Sequence, residues 1–306
     1  MLVSTRCDHA EPQNAVALTT LERRLSLFSD APSIIDYVRS AYRRACVAPP
    51  DDRATHAHNG DAQAHDTGLI LSSNGAEWLV FNGEPVLCNE EKPATHFRLA
   101  FYGSSKLIRL SFRRNPDWHS LYAAAMRIAG KAIIISARSG IGKTTLALEL
   151  MSRGAGFYSD EFVFIRKSDR AVSGLPRALM IRARTLSLFP DSRLRAVCET
   201  SIPRTSHGDA VWDNIDAGDV FGEQVFAQPA ALGAAIVLER GVGSKTVVEP
   251  ISAAFAATDF NQRLNSGIEG FGRLADTALM LQGIPCFRVA ASTPQSAADA
   301  IEALLL

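Results

Sequence analysis

Residues 137–144 read Ala-Arg-Ser-Gly-Ile-Gly-Lys-Thr: a small residue, four of any kind, then Gly-Lys-Thr, the spacing of a loop that holds nucleotide phosphates, with alanine where the stricter pattern has glycine. Gly140 and Gly142 let the loop curl so that successive backbone N–H groups point inward. A helix starting near Lys143 would aim its positive end at the same spot, so an anion belongs there. Lys143 would reach the β- and γ-phosphates of ATP, and the Thr144 hydroxyl would complete the coordination of a magnesium ion that keeps several waters. The candidate nucleotide contacts are Ser139, Gly140, Ile141, Gly142, Lys143, Thr144 and Thr145.

A phosphate loop alone says only that a triphosphate binds; what faces the γ-phosphate decides the reaction. Asp160 and Glu161 follow Lys143 by 17 and 18 residues, where the chain leaves the loop's helix and returns through a short strand. Paired carboxylates there can divide the work, one holding magnesium through water and the other accepting a proton from an attacking hydroxyl. Thr144, Asp160 and Glu161 are the candidate metal ligands. Between Pro176 and Pro190, Arg177, Arg182 and Arg184 form a basic cluster in a locally apolar setting.

These residues need a scaffold. Ala132 to Ile135 supply a buried, parallel-type strand into the loop, and Leu146, Leu148 and Leu150 belong to a helix that stops near Gly154. Upstream, Leu121 to Ile128 reads as a strand and Ala129-Gly130 as a turn. Downstream come strands at Gly156–Ser159 and Phe162–Ile165, a turn at Ser168–Arg170, and a long polar loop from Ser201 to Asp219. The apolar segments Ala234–Leu238 and Pro285–Val289 complete the sheet. A last helix from Pro294 to Leu305 carries Ala297, Ala298, Ile301 and Leu304 on one face. The expectation is an α/β nucleotide-binding domain over residues 117–306.

Residues 1–116 read as a smaller α+β recognition or cover domain. Residues 1 to about 20 are a mixed, polar lead-in; Arg23 to Phe28 suits a strand, and Ser33 to Ala45 has helical apolar spacing, begun by Pro32 and ended by Pro49 and Pro50. Asp51 to Asp66 lacks hydrophobic period and reads as a flexible loop, so its His56, His58 and His65 are solvated histidines rather than metal ligands. Gly68 to Cys88 has apolar runs separated by Asn74-Gly75 and Asn82-Gly83, the signature of a hairpin or meander. Thr95 to Phe112 is open between helix and strand.

The 306 residues carry 32 basic and 32 acidic side chains, which excludes a global field drawing the protein to nucleic acid or an anionic membrane. The five cysteines are scattered singly, so reduced thiols in the cytoplasm are expected rather than disulfides or zinc. No apolar run approaches a membrane span, and the N-terminus lacks the order of a signal peptide.

The run Ser139-Gly-Ile-Gly-Lys-Thr-Thr-Leu-Ala-Leu-Glu-Leu-Met-Ser-Arg-Gly154, followed by Tyr158-Ser-Asp-Glu161, resembles the HPr kinase/phosphorylase family. Pro176-Arg177 through Arg182, and Leu238-Glu-Arg-Gly241, resemble elements of its stand-alone bacterial relatives, which include kinases of lasso-peptide precursors. The resemblance covers roughly residues 117 to 306. It implies a phosphoenolpyruvate-carboxykinase-like domain that transfers phosphate from ATP to a serine of a protein or peptide, with homo-oligomers usual. By position it makes Asp160 and Glu161 the acidic pair, Lys143 the phosphate lysine, and Arg182 the counterpart of a family lysine. Glu161 stands where the family has Asp, and Tyr122 stands at the family's histidine position, with His119 three residues earlier. The missing histidine implies a kinase without strong phosphorylase activity. From the residues alone, a nucleotide-sensing regulator without catalysis and a small-molecule kinase stay open.

Overall fold

The computed structural model describes residues 15–21, 23–47, 64–73, 76–89, 99–190, 192–206, 209–262 and 270–305. The chain divides into two compact units, Met1–Arg114 and Asn115–Leu306.

In the first unit β1 (Ala15–Thr20) and β2 (Arg23–Ser29) pair antiparallel. Then come α1 (Pro32–Ala41), β3 (Cys46–Val47), the meander β4 (Ala64–Ser73), β5 (Ala76–Phe81) and β6 (Glu84–Asn89), and α2 (Ser104–Arg113). The sheet runs β3-β1-β2-β4-β5-β6, with β2 and β4 parallel. Of the lead-in expected over residues 1–20, residues 1–14 lie outside the described residues, and from Ala15 the chain is a strand whose residues Ala15 to Leu18 are all buried, because successive apolar residues leave it no wet face. The helix predicted to reach Ala45 ends at Ala41: Tyr42 is fully buried, and a turn accepting at its carbonyl delivers Cys46 to β1.

Of the loop predicted over Asp51 to Asp66, residues 51–63, with His56 and His58, lie outside the described residues. His65 and Asp66 are strand residues of β4. Asp66 is buried, and Arg23, Ser111 and Asn82 donate to its carboxylate at 2.5, 2.6 and 2.8 Å. Burial pushes this carboxyl up, but those hydrogen bonds and the Arg23 charge outweigh it and hold it below the usual carboxylate range. Asn74-Gly75 lies outside the described residues; Asn82 and Gly83 have φ of 51° and 84°, the left-handed pair of a two-residue hairpin turn. Of the ambiguous stretch Thr95 to Phe112, residues 95–98 lie outside the described residues; the rest is a π turn at Leu99–Gly103 and α2, which buries Leu107, Ile108 and Phe112.

In the second unit β7 (Trp118–Tyr122), β8 (Ala124–Ile128) and β9 (Lys131–Ala137) lead into α3 (Lys143–Ser152). There follow β10 (Gly156–Ser159), β11 (Phe162–Arg166), β12 (Ala171–Leu175), β13 (Leu179–Arg182), α4 (Ala183–Leu186) and α5 (Arg193–Glu199). Next are β14 (Arg204–Ser206), β15 (Asp209–Ile215), α6 (Ala217–Phe221), β16 (Ala230–Arg240) and β17 (Val247–Pro250). The unit closes with α7 (Ala253–Gln262), α8 (Gly270–Leu281), β18 (Cys286–Ala291) and α9 (Pro294–Ala303).

A nine-stranded mixed sheet runs β10-β8-β9-β16-β12-β11-β7, with β18 also on β16 and β17 on β18; β9, β16 and β18 are its parallel core. Strands β13, β15 and β14 form a separate antiparallel sheet. The run Ala-Ile-Ile-Ile in β9 is apolar throughout because both faces are covered. Ile133 and Ile135 pack in the core with Leu146, Leu150 and Ile301, while Ala132 and Ile134 pack in the other with Phe260 and Leu281.

Two expectations fail here. Residues 121–128 are not one strand: the chain steps at Ala123 from β7, paired with β11, to β8, paired with β9 and β10. The loop expected from Ser201 to Asp219 contains β14, β15 and the start of α6: Val211 is buried, and Ile215 and Ala217 pack in the second unit's core despite polar neighbours. No helix among the described residues is long and apolar enough to cross a membrane.

Candidate functional site

The loop sits at the C-terminal end of β9, between two anchored elements. Gly140 and Gly142 take φ of 81° and 121°, values that residues with a Cβ rarely adopt. The Ile141 N–H donates to the Arg138 carbonyl at 3.1 Å, and the Leu146 N–H to Gly142 at 2.8 Å, so the curl passes directly into α3. Leu146 to Met151 are buried, rooting the helix in the core. At its far end Arg153 bonds Glu149 within α3 and Asp299 and Glu302 on α9, at 2.8, 2.6 and 3.0 Å. Both ends of α3 are thereby anchored, and the loop that enters it is held with them.

Three groups converge on the mouth of the loop. Lys143 Nζ donates to the Asp160 carbonyl and lies 4.9 Å from the centroid of the Tyr122 ring. Thr144 Oγ1 donates to Asp160 Oδ2 at 2.9 Å. The aromatic ring at the position where the resemblance implies a histidine thus faces the loop's lysine, while His119 Nε2 lies 3.0 Å from Thr277 Oγ1 on α8.

Asp160 and Glu161 part company. Glu161 and Arg177 are 7% and 6% exposed and form an ion pair, with Arg177 Nη1 donating to Glu161 Oε2. The Ser159 hydroxyl donates to the Leu175 carbonyl and accepts from the backbone N–H of Glu161 and Phe162 at 3.2 and 2.9 Å, fixing the turn that presents Asp160. Gly174 on β12 allows this turn to approach: a Cβ there would stand 2.6 Å from the Tyr158 carbonyl oxygen.

Arg182 closes β13 and forms no ion pair among the described residues. Arg184 is the guanidinium at the loop, its Nη2 3.7 Å from where a Cβ on Gly140 would stand. Thr145 Oγ1 and Thr185 Oγ1, 3.1 Å apart, tie α4 to α3 beside it. The sequence placed Arg184 in a basic cluster without assigning it a site role; its spacing from the loop is visible only in the fold.

Among the described residues no group of three or more His, Cys, Asp or Glu side chains is placed to hold a metal. Magnesium bound with phosphates needs only one or two protein oxygens, and the joined Thr144 hydroxyl and Asp160 carboxylate suit that requirement.

No family model matches the chain. Over 89 residues it is 34% identical to the HPr kinase/phosphorylases of Bacillus velezensis and Bacillus subtilis, covering 29% of this chain and 26% of each relative. The chain thus matches about a quarter of the length of these curated relatives. The solved Hpr(Ser) kinase/phosphatase from Coxiella burnetii is matched over 61% of this chain and 88% of that chain at 14% identity, with a TM-score of 0.30.

Proposed function

We propose that this HPr-kinase-like chain transfers the γ-phosphate of ATP to a serine hydroxyl of a protein or peptide, a natural-product precursor peptide being one such acceptor. The observation that carries the reading is the meeting of Lys143, Thr144 and Asp160 at the mouth of a glycine loop. Bound ATP with magnesium supplies the phosphoryl group and neutralises part of its charge. Lys143 exchanges the Asp160 carbonyl for phosphate oxygens, and Thr144 and Asp160 offer oxygens to the metal. Asp160 also accepts the proton of the attacking hydroxyl. Arg184 and Arg182 donate to developing negative charge, which fixed donors stabilise without reorganising. Glu161 holds Arg177, and through it the turn that carries Asp160. Tyr122, standing where the resemblance implies a histidine, supports reading the activity as forward transfer rather than phosphate-dependent reversal.

The test is transfer of labelled γ-phosphate from ATP to serine-bearing peptides and carrier proteins. The expected result is a phosphoserine product that depends on Lys143. Tight ATP binding with neither transfer nor slow hydrolysis would overturn the reading and leave a nucleotide-sensing protein.

A further inference from the structure

The Lys143 ammonium sits at the end of a flexible stem, and such a group holds one position only where its surroundings supply contacts. The structure supplies two. One is the Asp160 carbonyl, which accepts from Nζ. The other is the Tyr122 ring, over which Nζ lies 4.9 Å from the centroid, inside the range of about 6 Å at which a ring face attracts a cation.

The two contacts respond differently to a nucleotide. The carbonyl takes one particular N–H donor, and phosphate oxygens compete for that donor once they enter the loop. The ring attracts the charge as a whole through its negative face. It is uncharged, so it repels no phosphate, and its apolar body keeps water off one side of the ammonium, which strengthens attraction on the other. A carboxylate in its place would bind the ammonium more tightly and would repel the phosphates it is meant to meet.

Backbone pairing sets the ring there. Tyr122 is half-buried at the end of β7, and among the described residues neither apolar core of the second unit includes it. It stands opposite Phe162 on β11, and the next residue, the fully buried Ala123, donates its N–H to the Glu161 carbonyl at 3.3 Å. The ring is thus tied to the two residues that follow Asp160, whose carbonyl holds the same lysine. One short stretch of sheet therefore places both contacts of the ammonium.

We propose that Tyr122 is a positioning residue, whose ring face keeps the Lys143 ammonium at the mouth of the loop while phosphate oxygens replace the Asp160 carbonyl. The inference rests on the phosphate-loop reading above and adds to it a residue that the loop's own motif does not contain.

The experiment measures binding of ATP with magnesium by calorimetry on the full chain. Tyr122→Leu should weaken ATP about fivefold, about 1 kcal/mol, the worth of a partly desolvated contact between a cation and a ring, and Tyr122→Phe should restore the affinity. Phenylalanine carrying one, two and then three ring fluorines at position 122 should weaken ATP stepwise, because fluorine draws electrons from the ring face and leaves its shape nearly unchanged. That series separates attraction of the cation from mere packing, and it does not depend on the leucine variant folding. If the fluorinated rings all bind ATP as phenylalanine does, or a folded Tyr122→Leu binds it as wild type does, the role of Tyr122 falls and the loop reading stands. If the wild type does not bind ATP, both fall.

Discussion

Thr144 Oγ1 donates to Asp160 Oδ2 at 2.9 Å, joining the loop's hydroxyl to the carboxylate that ends the neighbouring strand excursion. Both groups belong to one preassembled unit, so removing the carboxylate's basicity need not disturb the loop. Asp160→Asn is expected to bind ATP with affinity close to wild type while transfer falls by about 10²–10⁴-fold, the usual share of a general base. Calorimetry and initial rates of labelled-phosphate transfer check the two halves. Transfer at the wild-type rate would remove Asp160 from the chemistry.

Glu161 should behave differently. Its carboxylate lies in a buried pair with Arg177, so Glu161→Gln strands a cation in the interior at a cost of about 3–5 kcal/mol. Urea unfolding should show that loss, and Glu161→Gln combined with Arg177→Met should recover most of it. A Glu161→Gln protein of wild-type stability with abolished transfer would return Glu161 to a direct catalytic role.

Gly174→Ala tests the turn that presents Asp160. The added methyl meets the Tyr158 backbone carbonyl at 2.6 Å, and backbone cannot rotate aside as a flexible side chain can. Overpacking of this kind costs about 1–3 kcal/mol. The displaced residues precede Asp160 directly, so transfer should fall further than ATP affinity. Measured kinetics equal to wild type would show that the turn yields without moving the carboxylate.

Asp66 in the first unit gives a pH signature. Its folded-state value lies below its unfolded value, so its stabilisation is complete above the ordinary carboxylate value of about 3.9 and is lost as pH falls below it through the depressed value. Urea midpoints taken from pH 5 downward should therefore fall in the wild type. They should fall less steeply in Asp66→Asn, which begins about 3 kcal/mol less stable because the poorly exposed Arg23 loses its anion. Equal slopes would show that other carboxylates dominate.

The parts of the fold read correctly from sequence are those whose signal is local. Four apolar residues into a glycine loop, a lysine and a hydroxyl specify β9, the loop and α3 without help from distant residues. The partner of Glu161 was hidden because Arg177 is sixteen residues away and reaches it only through the packing of the intervening strands. Arg184 was hidden for the same reason. β1 and β15 escaped because short apolar stretches among polar neighbours carry little periodicity until a core covers them.

The parallel pairing of β9 with β16 sets Ala132 opposite Leu232, one hundred residues further on. During synthesis the strand bearing the loop has its hairpin partner β8 at once. Its other edge stays open until the ribosome has released β16, and closing so long a connection is slow. Until β16 arrives Ile133 to Ile135 lack the neighbour that covers this edge in the folded unit, so mispairing of a partly folded chain is expected to begin at this segment.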